Sequence, residues 1–225
     1  YVLGQVRGVY EYNTLNDQNY ATNGMMIHAS AFGVYGNYSF FPENDRSRKQ
    51  EDKGVNWFQF AFNYERYWSL NRSLSIGVEG NVEISTRKLL DNYAATMVML
   101  PVFHPTASTY NSFNASLRAP QYLSLGLKPV WKITNMFQLR GEFHGFMPWR
   151  KVLPDITPDD SRTTMVKAKY GDWFADPVFF GELAAVYALP FAHLTAYVNY
   201  CNTPGTKWNI GLSFGLFFLA PEFLH

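Results

Sequence analysis

Between Ser73 and Ser85 apolar and polar residues alternate. Leu74, Ile76, Val78, Val82 and Ile84 fall on one side of an extended chain, and Ser75, Glu79, Asn81 and Glu83 on the other. The same period of two returns along the sequence. From Trp57 to Trp68, Phe58, Phe60, Phe62, Tyr64 and Trp68 oppose Gln59, Asn63 and Glu65. From Tyr122 to Ile133, Leu123, Leu125, Leu127, Trp131 and Ile133 oppose Ser124, Lys128 and Lys132. From Phe137 to Phe146, Phe137, Leu139 and Phe143 oppose Gln138, Arg140, Glu142 and His144. From His193 to Thr203, Leu194, Ala196, Val198 and Tyr200 oppose Thr195, Asn199 and Cys201, and from Trp208 to Phe218 six apolar residues face Asn209, Gly211, Ser213 and Gly215. Ser112–Arg118 reads the same way, and weaker alternation covers Val2–Asn13, Met25–Tyr38, Tyr93–Val102 and Val178–Leu189. Together these predict about eleven strands.

Connection lengths sort the strands by direction. Long links fall at Phe41–Gly54 and Pro148–Asp176, and short ones at Leu70–Arg72, Thr134–Met136 and Pro190–Ala192. Outer-membrane barrels have short periplasmic turns and longer external loops. With the last strand descending to the periplasm, both long links lie outside and all three short ones inside. This requires residues 112–133 to split into two strands near Ala119 and Pro120. The first strand then descends as well, so an odd number of strands predicts at least one more before Tyr1.

A half-buried strand of a soluble sandwich alternates in the same way, so composition has to separate the two. Aromatic residues make up 18% of the 225 residues and charged residues only 16%, a balance that suits a membrane interface. No run approaches the ~18 consecutive apolar residues of a transmembrane helix. A mean hydropathy of -0.20 is compatible with a barrel, whose strands spend half their residues on the lumen. Burying so many aromatics in water would need a second sheet or covering helices, and the pattern offers no amphipathic helix. The expected fold is all-β: a transmembrane antiparallel outer-membrane β-barrel forming a single domain over residues 1–225, incomplete at its N-terminus. The bacterial outer membrane is its expected location, with membrane lipid and lipopolysaccharide as partners. Tyr64, Tyr67 and Trp68 are placed at the periplasmic interface, Phe146 and Trp149 at the outer one, and Arg66 beside Trp68, where its stem can snorkel. A net charge of +1 implies no nucleic-acid partner, and Cys201 has no other cysteine to pair with. The absence of a Met or an apolar leader at Tyr1 reads as a processed chain or a fragment.

Chemistry-bearing motifs are few. Gly211-x-Ser213-x-Gly215 matches the hydrolase elbow in letters, but alternation runs straight through it, where an elbow needs a sharp strand-to-helix turn. Ser213 therefore reads as a small lumen residue, and the glycines as relief from crowding. His28, His104, His144, His193 and His225 show no metal-ligand spacing. Asp155, Asp159, Asp160, Asp172 and Asp176 crowd the longest loop, and Arg46–Lys53 mixes both signs as an exposed loop does. No cofactor, metal or catalytic residue is assigned. Arg118 points inward before the Ala119-Pro120 break, and a desolvated guanidinium needs an anion. Glu142, an inward carboxylate two strands on, is its candidate lumen salt-bridge partner, with a general lumen charge network as the alternative.

Four short stretches carry a resemblance: Asn92-Tyr93, Pro101-Val102-Phe103-His104-Pro105-Thr106, Leu117-Arg118-Ala119 and Leu139-Arg140-Gly141-Glu142-Phe143. They resemble the C-terminal barrel of outer-membrane patatin-like phospholipases of Bacteroidetes, within the Omp85 superfamily. The resemblance implies that residues 1–225 are roughly the last eleven strands of a sixteen-stranded barrel. It also implies an inward loop whose Arg meets an acidic residue, a role that Arg118 and Glu142 match, although Leu117 and Ala119-Pro120 depart from the V-R-G-F pattern. Catalysis would belong to an upstream lipase domain, because this chain has no oxyanion loop or catalytic dyad. The expected function is that of a membrane anchor or translocator for that domain. The alternatives are an Omp85-type insertase carrying periplasmic assembly repeats, a self-contained outer-membrane hydrolase, and a passive pore.

Overall fold

The computed structural model describes residues 2–17, 19–40, 51–90, 92–110, 113–155, 166–189, 192–204 and 207–216. Nine strands form one antiparallel sheet: β1 (Val2–Asn13), β2 (Gly24–Phe40), β3 (Glu51–Ser69), β4 (Leu74–Ser85), β5 (Gln121–Lys132), β6 (Phe137–Pro148), β9 (Val178–Leu189), β10 (Ala192–Cys201) and β11 (Trp208–Leu216). They pair in that order, with β9 joining β6 across the intervening residues 149–177, and β1 and β11 are open edges. A separate hairpin, β7 (Arg150–Asp155) with β8 (Lys167–Trp173), stands at the long-loop end. Among the described residues no helix is long and apolar enough to cross a membrane, which has no bearing on strands.

In β3, β4, β5, β6, β10 and β11 the alternation places side chains on the faces that the sequence predicts, and the burial is inverted relative to a soluble protein. Arg140 and Glu79 are 2% and 8% exposed, while Leu125 and Leu183 are 62% and 58% exposed. The polar face is the concave one. Its side chains meet across the sheet: Arg140 of β6 reaches Tyr67 of β3 at 2.9 Å, and Thr195 of β10 reaches Tyr20 of the β1–β2 turn at 2.8 Å. Tyr67 belongs to this inner set, buried at 3%, and not to the interfacial cluster expected from its neighbours.

Two predicted strands are not strands. Tyr93–Val102 contains α1 (Tyr93–Met99), started by Asn92, whose side chain accepts the Ala95 N–H at 2.9 Å. Ser112–Arg118 contains a single 3-10 turn, Ala115–Leu117, where Asn114 accepts the Ser116 N–H. In both, a capping Asn offers the backbone a local alternative to a ladder. Two strands also occur where a loop was expected, in β7 and β8, so the total of eleven is reached with different members. Because the losses are paired, the predicted directions of the remaining strands survive. The split at Ala119 and Pro120 is the start of β5. Asp159, Asp160 and His225 lie outside the described residues, as does Arg46–Lys53 except where 51–53 open β3.

Close side-chain packing across the inner face dictates two glycines. A Cβ on Gly126 would come 2.5 Å from Nδ1 of His144, its cross-strand partner, and one on Gly77 would come 2.3 Å from the Tyr67 ring. Gly126→Ala should therefore destabilise the fold by roughly 1–3 kcal/mol, the usual cost of overpacking. Adding His144→Ala opens the same space and should recover most of that loss. Denaturant unfolding of the two single variants and the double variant measures the coupling, and additive losses would refute the contact.

Candidate functional site

The concave face holds a connected set of charges. Lys128 projects inward from β5 and places its ammonium 2.7 Å from Glu65 Oε1 and 2.5 Å from Glu79 Oε2. Asn81 Nδ2 donates to Glu79 at 2.6 Å and to Ser124 at 3.0 Å, and Asn63 donates to Asn81. The Tyr67 hydroxyl donates to Glu65 at 2.9 Å and accepts from Arg140 Nη2 at 2.9 Å. Arg140 Nε lies 3.2 Å from Glu142 Oε1, and its Nη1 donates to the Ala21 carbonyl at 2.9 Å. A chain of charge-assisted bonds thus runs from β2's neighbour β3 through β4 and β5 to β6 and on to the β1–β2 turn. That turn is folded inward, with the Tyr20 ring edge-on to His193 at 4.9 Å and under the Arg140 guanidinium at 5.6 Å.

Residues 86–120, between β4 and β5, fill the other end of the concave face. Phe103 stacks on Phe146 at 5.7 Å and packs against Tyr122 and His144, within a cluster that includes Leu117, Ala119, Phe180 and Cys201. A small backbone ladder holds the segment's two halves together: Phe103 N–H donates to Leu117 O at 2.9 Å, and Ala119 N–H to Pro101 O at 3.3 Å. α1 packs under the β7–β8 hairpin through Met97, Leu100 and Val152. The polar attachment is Glu182 of β9. Its carboxylate accepts from Thr106 Oγ1 at 3.0 Å, from Ser108 Oγ and from Asn199 Nδ2 at 3.3 Å.

Arg118 and Glu142 are not brought together. Arg118 Nη1 donates to the carbonyls of Met97, Val98 and Leu100 at 3.2, 3.4 and 3.4 Å, closing the C-terminal end of α1, and its guanidinium lies over Phe113. Glu142 pairs with Arg140, and His144 Nε2 lies 3.9 Å from its other oxygen. The physical reason is the conversion of Ser112–Arg118 from strand to 3-10 turn, which spends the guanidinium on free helix carbonyls of its own segment. The general charge network, the alternative weighed for this pair, is what the inner face contains.

Little here can do covalent chemistry. Ser213 stands on exposed β11 opposite Thr195; Tyr197 occupies the space above Gly211, which relieves crowding as expected, whereas the space above Gly215 is open and the expectation fails there. Ser108 touches a carboxylate that Thr106 and Asn199 also satisfy, with no imidazole among its hydrogen-bond partners. No group of three His, Cys, Asp or Glu among the described residues is placed to hold a metal ion. Asp155 and Asp176 face Lys169 and Lys151 at 3.0 and 3.7 Å. Sequence reasoning assigned Lys128, Glu65 and Glu79 to the correct face but not to partners, since partners depend on register, and it gave Glu182 no face. Thr106 entered only as the last residue of a resemblance stretch, and Ser108 carried no signal, both being ordinary loop hydroxyls until the segment folds inward.

The arrangement is suited to holding a segment inside a polar channel. Glu182→Ala removes the acceptor of three donors and should free residues 86–120 without unfolding the sheet. Amide exchange of that segment should accelerate by about tenfold or more, in line with the loss of buried charge-assisted bonds, while exchange in β5 and β6 stays slow. Uniform acceleration would show that the segment is not separately held. The chain matches no protein-family model, no curated protein and no solved structure.

Proposed function

We propose that this chain is part of a transmembrane β-barrel of a bacterial outer membrane, with residues 86–120 occluding its lumen. The single observation that carries this reading is the inverted polarity of the sheet. Fifteen large apolar side chains of the main-sheet strands from β4 to β11, Leu74 to Phe214, stand between 36% and 80% exposed on the outer face. At roughly 1 kcal/mol each for half-burial, leaving them in water forgoes ~15 kcal/mol, as much as the whole net stability of a domain. Lipid removes that penalty.

Two further features support it. The three shortest connections, 70–73, 133–136 and 190–191, share one end with the longer 14–23, and the two longest, 86–120 and 149–177 with the β7–β8 hairpin, lie at the other. Aromatic pairs mark the long-loop end, Trp149 with Phe174 at 6.4 Å and Tyr200 with Trp208 at 5.0 Å. Trp131 and Trp68, with Arg66 over the latter's ring at 5.0 Å, mark the other.

Within that reading the chain serves as membrane anchor or translocator for a patatin-like lipase domain supplied outside it. The short-motif resemblance supports this, as does the lack of a nucleophile-base pair among the described residues of the inner face. The occluding segment favours it over a passive pore. The intact protein should show heat-modifiable gel migration and stay in solution only with detergent; recovery as a water-soluble monomer would sink the membrane reading. In planar bilayers it should conduct little, and deletion of residues 92–118 should raise conductance. An equally conductive intact protein would favour the pore. Phospholipase activity should map to the upstream region and survive Ser213→Ala; loss in that variant would favour the self-contained hydrolase.

A further inference from the structure

At the short-turn end the concave side opens into a polar cavity of about 490 Å³, walled by the β1–β2, β3–β4 and β5–β6 turns and the start of β10. Two cations stand together in its wall. Lys132 ends β5 and Arg72 lies in the turn before β4, and the Lys132 N–H donates at 2.7 Å to the carbonyl of Ser73, the residue after Arg72, which brings the two backbones to the same part of the rim. Gln138, the cross-strand partner of Lys132, lines the same wall, and its buried Oε1 has no hydrogen-bond partner among the described residues. The cavity's own carboxylate is already committed. Asp17 Oδ1 accepts the N–H groups of Asn19 and Tyr20 at 2.9 Å each, and Oδ2 lies 3.3 Å from His193 Nε2. Neither cation therefore has a carboxylate partner among the described residues.

Neighbouring like charges repel, and here two line a concave polar wall with no carboxylate partner among the described residues. We propose that this cavity binds a phosphate-type oxyanion, carried by a small soluble molecule or by a lipid headgroup. Arg72 supplies the planar fork that matches two phosphate oxygens, and Lys132 supplies a point charge beside it. The amide of Asn135 in the β5–β6 turn adds a neutral donor. A bare phosphate fills only a fraction of 490 Å³, so the site has room for the group to which the phosphate is attached. This inference rests on the cavity and stands whether or not the sheet spans a membrane.

The test is titration of the folded full chain in detergent with inorganic pyrophosphate, followed by phosphorus NMR and calorimetry. A second arm is flotation with phosphatidylglycerol against phosphatidylcholine vesicles. Saturable pyrophosphate binding is expected, competed by phosphate but not by chloride of equal ionic strength, and weakened about tenfold or more by Arg72→Gln or Lys132→Gln. Lys132→Arg, which keeps the charge, should retain it. Binding to phosphatidylglycerol vesicles alone, lost in the same variants, would assign the phosphate to a headgroup. Absence of saturable binding in both arms by the unsubstituted protein would overturn the proposal. So would binding that the Arg72→Gln/Lys132→Gln pair leaves unchanged.

Discussion

The structure depends on one constraint: charges placed on the inner side of the sheet must satisfy one another. Lys128 between Glu65 and Glu79, and Arg140 between Glu142 and Tyr67, are the points where this is met. Breaking a buried pair by removing one partner typically costs ~3–5 kcal/mol, because the other charge is left stranded. Each of these contacts also crosses strands, so together they fix register. A one-residue slip of β5 would send Lys128 to the apolar face and Leu127 into the carboxylates, and the sheet has no cheap neighbouring alignment to fall into.

The same constraint explains what fills the concave side. Among the buried charges of the described residues, four carboxylates, Glu79, Glu83, Glu142 and Glu182, with half-buried Glu65, outnumber the two cations Lys128 and Arg140. The surplus is met by neutral donors. Gln59 serves Glu83 at 2.7 Å, and Thr106, Ser108 and Asn199 serve Glu182. Two of the donors to Glu182 belong to residues 86–120. The inward segment is thus part of the electrostatic balance of the sheet as well as apolar filling around Phe103, and losing it would expose a carboxylate along with a hydrophobic cluster.

The faces of the strands were legible because a period of two needs no knowledge of neighbours: Leu74 and Glu79 go to opposite sides wherever β4 pairs. Elements decided by local competition were not. Tyr93–Met99 has weak alternation, and Asn92 capping tips it into a helix; Asn114 does the same on a smaller scale before Ala115. The β7–β8 hairpin was hidden because Arg150-Lys151 and Pro154-Asp155 look like loop residues. The strand content becomes visible only when Arg150 is seen against Tyr170 and Trp173, at 4.5 and 5.3 Å. Arg118 was read correctly as a guanidinium in need of an acceptor and wrongly as one facing Glu142. A chain can satisfy such a group with carbonyls as well as with a carboxylate, and sequence does not distinguish them.

Strand direction limits how the two open edges can be satisfied. Every ladder of the sheet is antiparallel, so β1 and β11, first and ninth in the order, run the same way. Pairing them with each other would make one parallel seam. A seam to a second copy of the same sheet, inserted in the same orientation, would be parallel too. Width argues in the same direction as parity. A barrel of about eight strands has an interior that side chains alone fill, whereas this concave face holds α1, a 3-10 turn and the Phe103 cluster besides its own polar side chains. On the barrel reading the wall must therefore be wider than these nine strands. An all-antiparallel closure then requires an odd number of further strands, and both of its outermost strands must run opposite to β1 and β11. Residues that face inward on the edges, Arg7 and Glu11 on β1 and Asn209 and Ser213 on β11, stand exposed. Their polarity fits the inner side of a wall that continues past them.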